Sequence, residues 1–322
     1  MILEVDKYNP NREKMEIAAE AIKKGELVAF PTETVYGLGA NALDSQAVLG
    51  IFAAKGRPSD NPLIVHVASA DDVDGIAVVN DLGRKLMQRF WPGPLTLIFP
   101  ARDNVPAEVT AGLGTVGVRM PLNAIAKALI EMSGVPIAAP SANKSGRPSP
   151  TNAMSVYEDL SDAVSVILDG GPTEVGVEST VIDVTGKDVF LLRAGGLPVE
   201  KIMEVTGHVQ LPRDQNMKKR SPGTRYRHYA PLIPLVLCEN GFYPDELRQY
   251  DSADLGYLGV HEPPVAVGQK IMFPDIDSYA RGLFTSMRVL EKSGICVIIA
   301  EYPGKEGVGL ALRDRLKRAA GY

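Results

Sequence analysis

The chain has 322 residues, 45% of them hydrophobic and 23% charged, a composition that supports packed cores and excludes disordered, fibrous and membrane-embedded classes. Two cysteines, Cys238 and Cys296, and four scattered histidines, His66, His208, His228 and His261, make no CxxC or HExxH spacing, so zinc ribbons and disulfide scaffolds are excluded. A formal charge of -5 excludes a protein that coats nucleic acid through an overall positive field.

Apolar residues at helical spacing between 11 and 24 (Met15, Ile17, Ala18, Ala21, Ile22), with Asn11 as cap and Gly25 as stop, predict a first helix. A short buried strand over 27–30 follows and ends at Pro31. Further strands are predicted at 63–67, 95–99, 115–120, 135–139, 164–168, 180–184 and 189–192, with helices at 45–54, 82–90 and 124–132. Alternation of this kind implies an α/β sheet. From 206 to 231 the periodicity stops, and prolines, glycine and a basic cluster mark a linker. Strands at 233–238, 255–260 and 295–300, with helices at 276–292 and 310–319, then suggest a smaller α/β domain. The division is 1–206, 207–231 and 232–322. Six cations against one acid give residues 213–231 a formal +5, so the rest of the chain carries -10. The N-terminal MILEVDKYNPNREK has no signal-peptide pattern and no apolar run reaches membrane length, which predicts a cytoplasmic protein without a membrane partner.

Ligand sites in α/β sheets gather beyond strand ends, so the polar runs there are the candidates. After the first buried strand comes a run in which Gly37 and Gly39 permit close backbone approach and Thr32, Thr34 and Tyr36 offer hydroxyls; an ordinary glycine-rich turn is as good a reading. Lys55 and Arg57 close a helix before a proline-stiffened loop, a pair suited to polyphosphate, although cations also favour helix C-termini in general. His66 lies inside an apolar strand, where a satisfied core histidine is the commoner case and a ligand-facing one the alternative. Ser141, Asn143 and Ser149 belong to a run of small polar residues that can cradle phosphate, and Arg119 and Arg193 each close a strand. Gly112, Gly114 and Gly117 satisfy GxGxxG but precede a strand, so no dinucleotide site is read there. No P-loop exists.

Four motifs in order carry a family resemblance: Pro31-Thr-Glu-Thr-Val-Tyr-Gly-Leu, Lys55-Gly-Arg-Pro with Asn61-Pro-Leu, Ser141-Ala-Asn143, and the linker run from Ser221 to Pro231 containing His228-Tyr229-Ala-Pro. Together they resemble the two-domain threonylcarbamoyl-AMP synthases with a YrdC-like catalytic domain, over the whole chain. Thr224-Arg225 stands where the family more often has Met-Lys. The resemblance implies a twisted mixed sheet with helices around a concave site, then the linker, then a smaller Rossmann-like α/β/α domain. It implies a nucleotidyltransferase that condenses L-threonine, bicarbonate and ATP into threonylcarbamoyl-AMP and pyrophosphate, for modification of position 37 of tRNA. On it, Thr34, His66, Arg119, Ser179 and the backbone of Ala139 would hold threonine, with Arg119 on its carboxylate. Lys55, Arg57, Asn61, Thr115, Ser141, Asn143, Ser149 and Arg193 would hold ATP, with His228 and Tyr229 reaching over from the linker as a lid and Lys55 and Arg57 catalytic. Mg2+ would ride on the phosphates, no protein ligand to it being assigned. A downstream tRNA threonylcarbamoyl-transfer complex is the implied partner, and direct tRNA binding is left open. The alternatives are a non-catalytic RNA-binding module, against which no RNP-like aromatic run exists and Trp91 reads as structural, and a carbamoyl-transferring relative, which needs cysteine-rich zinc modules this chain lacks.

Overall fold

The computed structural model describes residues 1–223, 228–239 and 245–322. The first part of the chain runs β1 (Ile2–Glu4), α1 (Arg12–Lys23), β2 (Val28–Pro31), β3 (Tyr36–Asn41), α2 (Ser45–Lys55), β4 (Ile64–His66), α3 (Asp81–Phe90), β5 (Leu95–Pro100), α4 (Ala107–Thr110), β6 (Thr115–Arg119), α5 (Ala124–Ser133), β7 (Ile137–Ala138), α6 (Ala153–Leu160), β8 (Val166–Asp169), β9 (Thr180–Asp183) and β10 (Phe190–Arg193). Then come α7 (Val199–Thr206) and a one-turn helix α8 (Gln215–Lys218). The second part holds β11 (Leu235–Cys238), β12 (Leu255–Gly259), β13 (Gln269–Met272), α9 (Ile276–Lys292), β14 (Val297–Glu301) and α10 (Gly309–Ala320).

Local chemistry sets the helix ends. The side chain of Asn11 accepts from the Lys14 N–H and caps α1, and Asp44 accepts from Gln46 and Ala47 at the start of α2. At its end Gly56, in the left-handed region at φ 59°, stops α2 one residue after Lys55 and turns the chain toward Arg57.

Ten strands form one mixed sheet in the order β1-β8-β2-β3-β7-β4-β6-β5-β9-β10. Its two halves meet at β7, which is only two residues long and pairs antiparallel to both β3 and β4. The register of the parallel pair β4 and β6 sets His66 beside Arg119. Neighbours in a parallel ladder share a face, so the two side chains leave the sheet together. One core of apolar side chains packs α2, α3 and α6 against the sheet, and a second packs α1 and α5 on Phe30, Val28 and Leu168.

The segment after β2 is not the loop that its glycines suggest. Tyr36–Asn41 is strand β3, antiparallel to β2. A Cβ at Gly39 would lie 2.7 Å from Phe30 Cε1 and 2.8 Å from Ile137 Cγ2, so the glycine there makes room for a core ring. The region read as an unstructured linker also carries α8. Thr224, Arg225 and Arg227, three residues of the basic run, lie outside the described residues.

The second sheet is wholly parallel, in the order β11-β14-β12-β13. α9 and α10 pack on one face through Leu283, Phe284, Met287, Leu312 and Leu316 against Leu258, Ile298 and Ala300. The opposite face buries Tyr257, Val297 and Ile299 beneath Leu247 and Tyr250. β13, with the sequence QKIM at a sheet edge, was not legible as a strand.

The same helices bind the second part to the first. Arg288 of α9 donates to both carboxylate oxygens of Asp159 at 3.0 and 2.7 Å, with both side chains buried. Arg147 pairs with Glu291, and the Thr151 and Thr285 hydroxyls lie 2.7 Å apart. Among the described residues, no helix is long and apolar enough to cross a membrane.

Candidate active site

A cavity of about 60 Å³, open to solvent, lies where the two halves of the large sheet meet. Thr34, His66, Arg119, Ala139 and Ser179 all line it, as do Arg57, Ser141, Arg193, His228 and Tyr229. Residues from seven separate stretches of sequence thus converge on one space.

The side reached by β4, β6, β9 and β10 is built around two arginines. Arg119 Nη1 donates to Thr34 Oγ1 at 2.9 Å, Nε donates to the Gly93 carbonyl at 3.3 Å, and Nη2 lies 2.7 Å from Glu33 Oε2. The ion pair is 4% and 3% exposed, so it sits in the interior, where each charge depends on the other. Thr32 Oγ1 lies 2.9 Å from the hydroxyl of Thr34 and donates to the Val35 carbonyl, which fixes the turn between β2 and β3. Arg193, the last residue of β10, donates through Nε and Nη2 to the Ser179 carbonyl at 3.2 and 3.0 Å, and through Nη2 to Ser179 Oγ. Thr96 Oγ1 holds the same hydroxyl from the other side at 2.8 Å.

That contact leaves no room beside it. A Cβ at Gly195 would fall 2.2 Å from the Ser179 carbonyl carbon and 2.3 Å from Glu178 O and Thr180 N, all backbone atoms. Gly195→Ala is therefore expected to destabilise the fold by about 1–3 kcal/mol or more, measured by thermal or urea denaturation. An unchanged melting curve would show that the turn relaxes freely.

Lys55 is buried, and its ammonium donates to the carbonyls of Ser141 and Asn143. It clamps the 141–149 run against the end of α2, assisted by the Ser145 N–H, which donates to the Lys55 carbonyl. Burial first, and then the neighbouring Arg57 charge, hold the Lys55 ammonium well below its usual pKa. Arg57 donates to the carbonyls of Asn61 and Pro62, which folds the 57–62 loop back on itself. Asn61 is fully buried, and neither its amide nitrogen nor its amide oxygen has a partner among the described residues. A buried amide with no partner is costly.

Two histidines share that state. His66 Nδ1 and His228 Nε2 are buried and unpartnered among the described residues. Burial pushes both imidazoles down to about 3, with Arg119 adding to the effect at His66 and Arg57 and Lys55 at His228. Both are neutral at physiological pH, free to donate or accept a hydrogen bond without carrying charge. His66 is thus not the satisfied core histidine that its apolar strand suggests. His228 and Tyr229 arrive from the linker, and the Pro222 carbonyl accepts from Arg193 Nη1 at 3.2 Å, so the linker lies over the cavity.

Five candidates stand outside the lining. Lys55, Asn61, Asn143 and Ser149 lie in the layer behind it; the Asn143 amide donates to the Lys144 and Arg147 carbonyls, and Ser149 Oγ donates to Glu178 at 2.6 Å. Thr115 opens β6, four residues from Arg119 or about 13 Å along the strand, and does not join the others.

Sequence reasoning passed over three charged residues. Glu33 holds Arg119; Glu178 is the one acid among the described lining residues; and Arg315 of α10, fully buried, donates to Glu178. Glu33 carried a signal, being an acid between two threonines directly after an apolar strand. Glu178 and Arg315 are 137 residues apart and carried none. Glycines 112 and 114 have positive φ in the turn before β6, which agrees with discarding that GxGxxG. Trp91 Nε1 donates to the Leu95 carbonyl, as its structural reading requires.

Residues 20–195 match a family model described as Telomere recombination (Sua5, YciO and YrdC), and residues 197–321 match the C-terminal domain of threonylcarbamoyl-AMP synthase. Among curated proteins, the threonylcarbamoyl-AMP synthase of Pyrococcus abyssi is 44% identical over 96% of this chain and 94% of its own length. The enzyme of that name from Bacillus subtilis is 43% identical over 98% and 95%. The crystal structure of P. abyssi Sua5 complexed with L-threonine superposes with a TM-score of 0.91, covering 100% of this chain and 98% of that one at 44% identity. With both domains matched in order and nearly the full length covered, the chain belongs to the two-domain threonylcarbamoyl-AMP synthase family.

Proposed function

We propose that this protein is an L-threonylcarbamoyladenylate synthase, joining L-threonine, bicarbonate and ATP with release of pyrophosphate, as the first step toward threonylcarbamoyladenosine at position 37 of tRNA. The observation that carries this reading is the end-to-end likeness to a relative whose structure holds L-threonine, together with a cavity lined by ten of the fifteen candidate residues. Threonine would occupy the space between Arg119, Thr34, His66, Ala139 and Ser179. ATP would extend from Arg193 and Ser141 toward Arg57, under His228 and Tyr229, with Asn61, Asn143, Ser149 and Lys55 shaping the layer behind. Thr115 stands apart from this arrangement.

The chemistry needs no protein nucleophile. Threonine's amine takes up bicarbonate with loss of water to give a carbamate, and a carbamate oxygen attacks the α-phosphorus while the bond to the β-phosphate oxygen breaks. Pyrophosphate leaves and threonylcarbamoyl-AMP remains. Three arginines and one glutamate line the described wall, so the field favours a polyanion and the pentacoordinate phosphorus that forms from it. The neutral imidazoles supply orientation without competing charge. A linker over the opening would keep water from a hydrolysable adenylate.

Mg2+ would accompany ATP. Among the described residues no three His, Cys, Asp or Glu side chains cluster to hold a metal, and both Glu178 oxygens are occupied by Ser149 and Arg315. No residue of this chain is assigned to the ion, which keeps its waters and rides on the phosphates. A cytoplasmic location and delivery of the adenylate to a tRNA threonylcarbamoyl-transfer complex follow from the same reading.

Pyrophosphate release from ATP is expected to require both L-threonine and bicarbonate, with AMP bound to a threonine-derived group as the second product by mass spectrometry. Release indifferent to either substrate overturns the reading. Salt-dependent RNA binding without adenylate would favour an RNA-binding module instead.

A further inference from the structure

We infer that Arg315 of the second domain is a positioning residue for the nucleotide site, supplying the countercharge that lets the Glu178 carboxylate remain in the cavity wall without repelling a polyphosphate. The inference rests on the functional reading above and gives the second domain a part in it.

Glu178 is the one acid among the described lining residues; it precedes Ser179 in the chain and interacts electrostatically with Arg193. Its Oε1 accepts from Ser149 Oγ at 2.6 Å and its Oε2 accepts from Arg315 Nε at 2.7 Å. Arg315 comes from α10, on the far side of the domain junction, and is 0% exposed. Its Nη1 donates to Asp314, which also accepts from Arg318, so the guanidinium is fixed from behind. The guanidinium carbon lies 5.3 Å from the centre of the Tyr229 ring. That ring stacks on Phe284 of α9 at 5.3 Å and 25°, and Tyr229 itself holds φ 66°, a conformation that few side chains adopt unless their surroundings impose it. One buried cation therefore touches both the acid of the cavity wall and the linker residue that covers the cavity.

The ion pair differs from the other links between the two parts. Arg288 with Asp159 and Arg147 with Glu291 hold the domains together, but neither carboxylate lines the cavity. Among the described carboxylates Glu178 alone lines the cavity, and at a few ångströms in a medium of reduced dielectric an uncompensated carboxylate opposes a polyanion strongly. Burial works to raise the Glu178 pKa, and Arg315 first and Arg193 second more than offset it, so the group is held as the carboxylate.

The test is calorimetric binding of ATP to the full-length protein and its variants, with thermal unfolding as a check of the fold. Arg315→Met is expected to weaken ATP binding by at least about tenfold, because it leaves a buried charge unpaired beside the ligand. Arg315→Met with Glu178→Gln is expected to recover most of that loss, and Arg315→Lys to fall between. Binding is read at a temperature where the unfolding curve shows every variant fully folded, and there recovery on removing the orphaned acid is what an arginine that only holds the domains together would not show. Glu178→Gln alone, which keeps Arg315, is expected to bind ATP at least as tightly as the native chain, and this serves if Arg315→Met does not fold. Native-like ATP binding by folded Arg315→Met, a double variant no better than the single one, or weaker binding by Glu178→Gln each overturns the inference. A native chain that binds no ATP overturns the functional reading itself, and the inference with it.

Discussion

Arg119→Met is expected to abolish threonine-dependent pyrophosphate release and to lower the stability of the fold by about 3–5 kcal/mol. The two losses have separate causes. Stability falls because Glu33, 3% exposed and 2.7 Å from the guanidinium, is left as a buried acid without its cation, and because the Thr34 hydroxyl and the Gly93 carbonyl each lose a donor. Activity falls because Arg119 is the cation of the pocket assigned to threonine, placed beside His66 by the register of β4 and β6. The double variant Arg119→Met with Glu33→Gln separates them. Removing the orphaned charge is expected to return most of the stability, read from urea denaturation, while release of pyrophosphate stays lost. If the double variant regained activity along with stability, Arg119 would be a structural residue that never meets the amino acid.

Glu33 also shows where reading the sequence stops. Local signals set the helices: Asn11 caps α1 as its side chain predicts, and the apolar spacing of α9 places both its ends at Ile276 and Lys292. The buried strands announced themselves as apolar runs because they are covered on both faces. β3 did not, since Gly37 and Gly39 lower strand propensity and their reason for being glycine is the Phe30 ring of another strand. The site followed the same division. Residues in short polar runs at strand ends, such as Thr34, Arg57, Ser141 and Arg193, were legible because the runs break the apolar pattern. Glu178 and Arg315 were not, because a carboxylate before one strand and an arginine in a C-terminal helix acquire meaning only when the second domain docks. Lys55 was legible as a cation suited to phosphate, yet its ammonium is spent on the Ser141 and Asn143 carbonyls, a partnership that no spacing announces.

The buried imidazoles lead to the other large effect, a steep loss of stability in mild acid. His66 and His228 bind a proton in the folded chain only near pH 3, whereas the unfolded chain binds one on each near pH 6.5. Between those values the unfolded state holds more protons, so acidification favours it. The stability from neutral imidazoles is therefore whole above about pH 6.5 and is lost as pH falls toward 3, at about 1.4 kcal/mol per pH unit for each histidine. Between pH 7 and pH 5 the pair removes about 4 kcal/mol, a large part of the 5–15 kcal/mol typical of a folded protein. The neighbouring charges act in the same sense, since Arg119 faces His66 and Arg57 and Lys55 face His228, with Glu178 the lone opposing acid near the second ring. Lys55, itself held below its usual pKa, adds a loss of the same sign as pH falls from the ordinary lysine range toward its folded value. Glu178 and Asp314, held low in the fold, add theirs only below the ordinary carboxylate range of about 4.5. Urea unfolding at a series of pH values from 7.5 to 5 measures the slope, and His228→Asn is expected to remove about half of it. A native slope under about 0.5 kcal/mol per pH unit would mean that both rings take up protons inside the fold, and that the cavity is far more hydrated than its buried, unpartnered nitrogens imply.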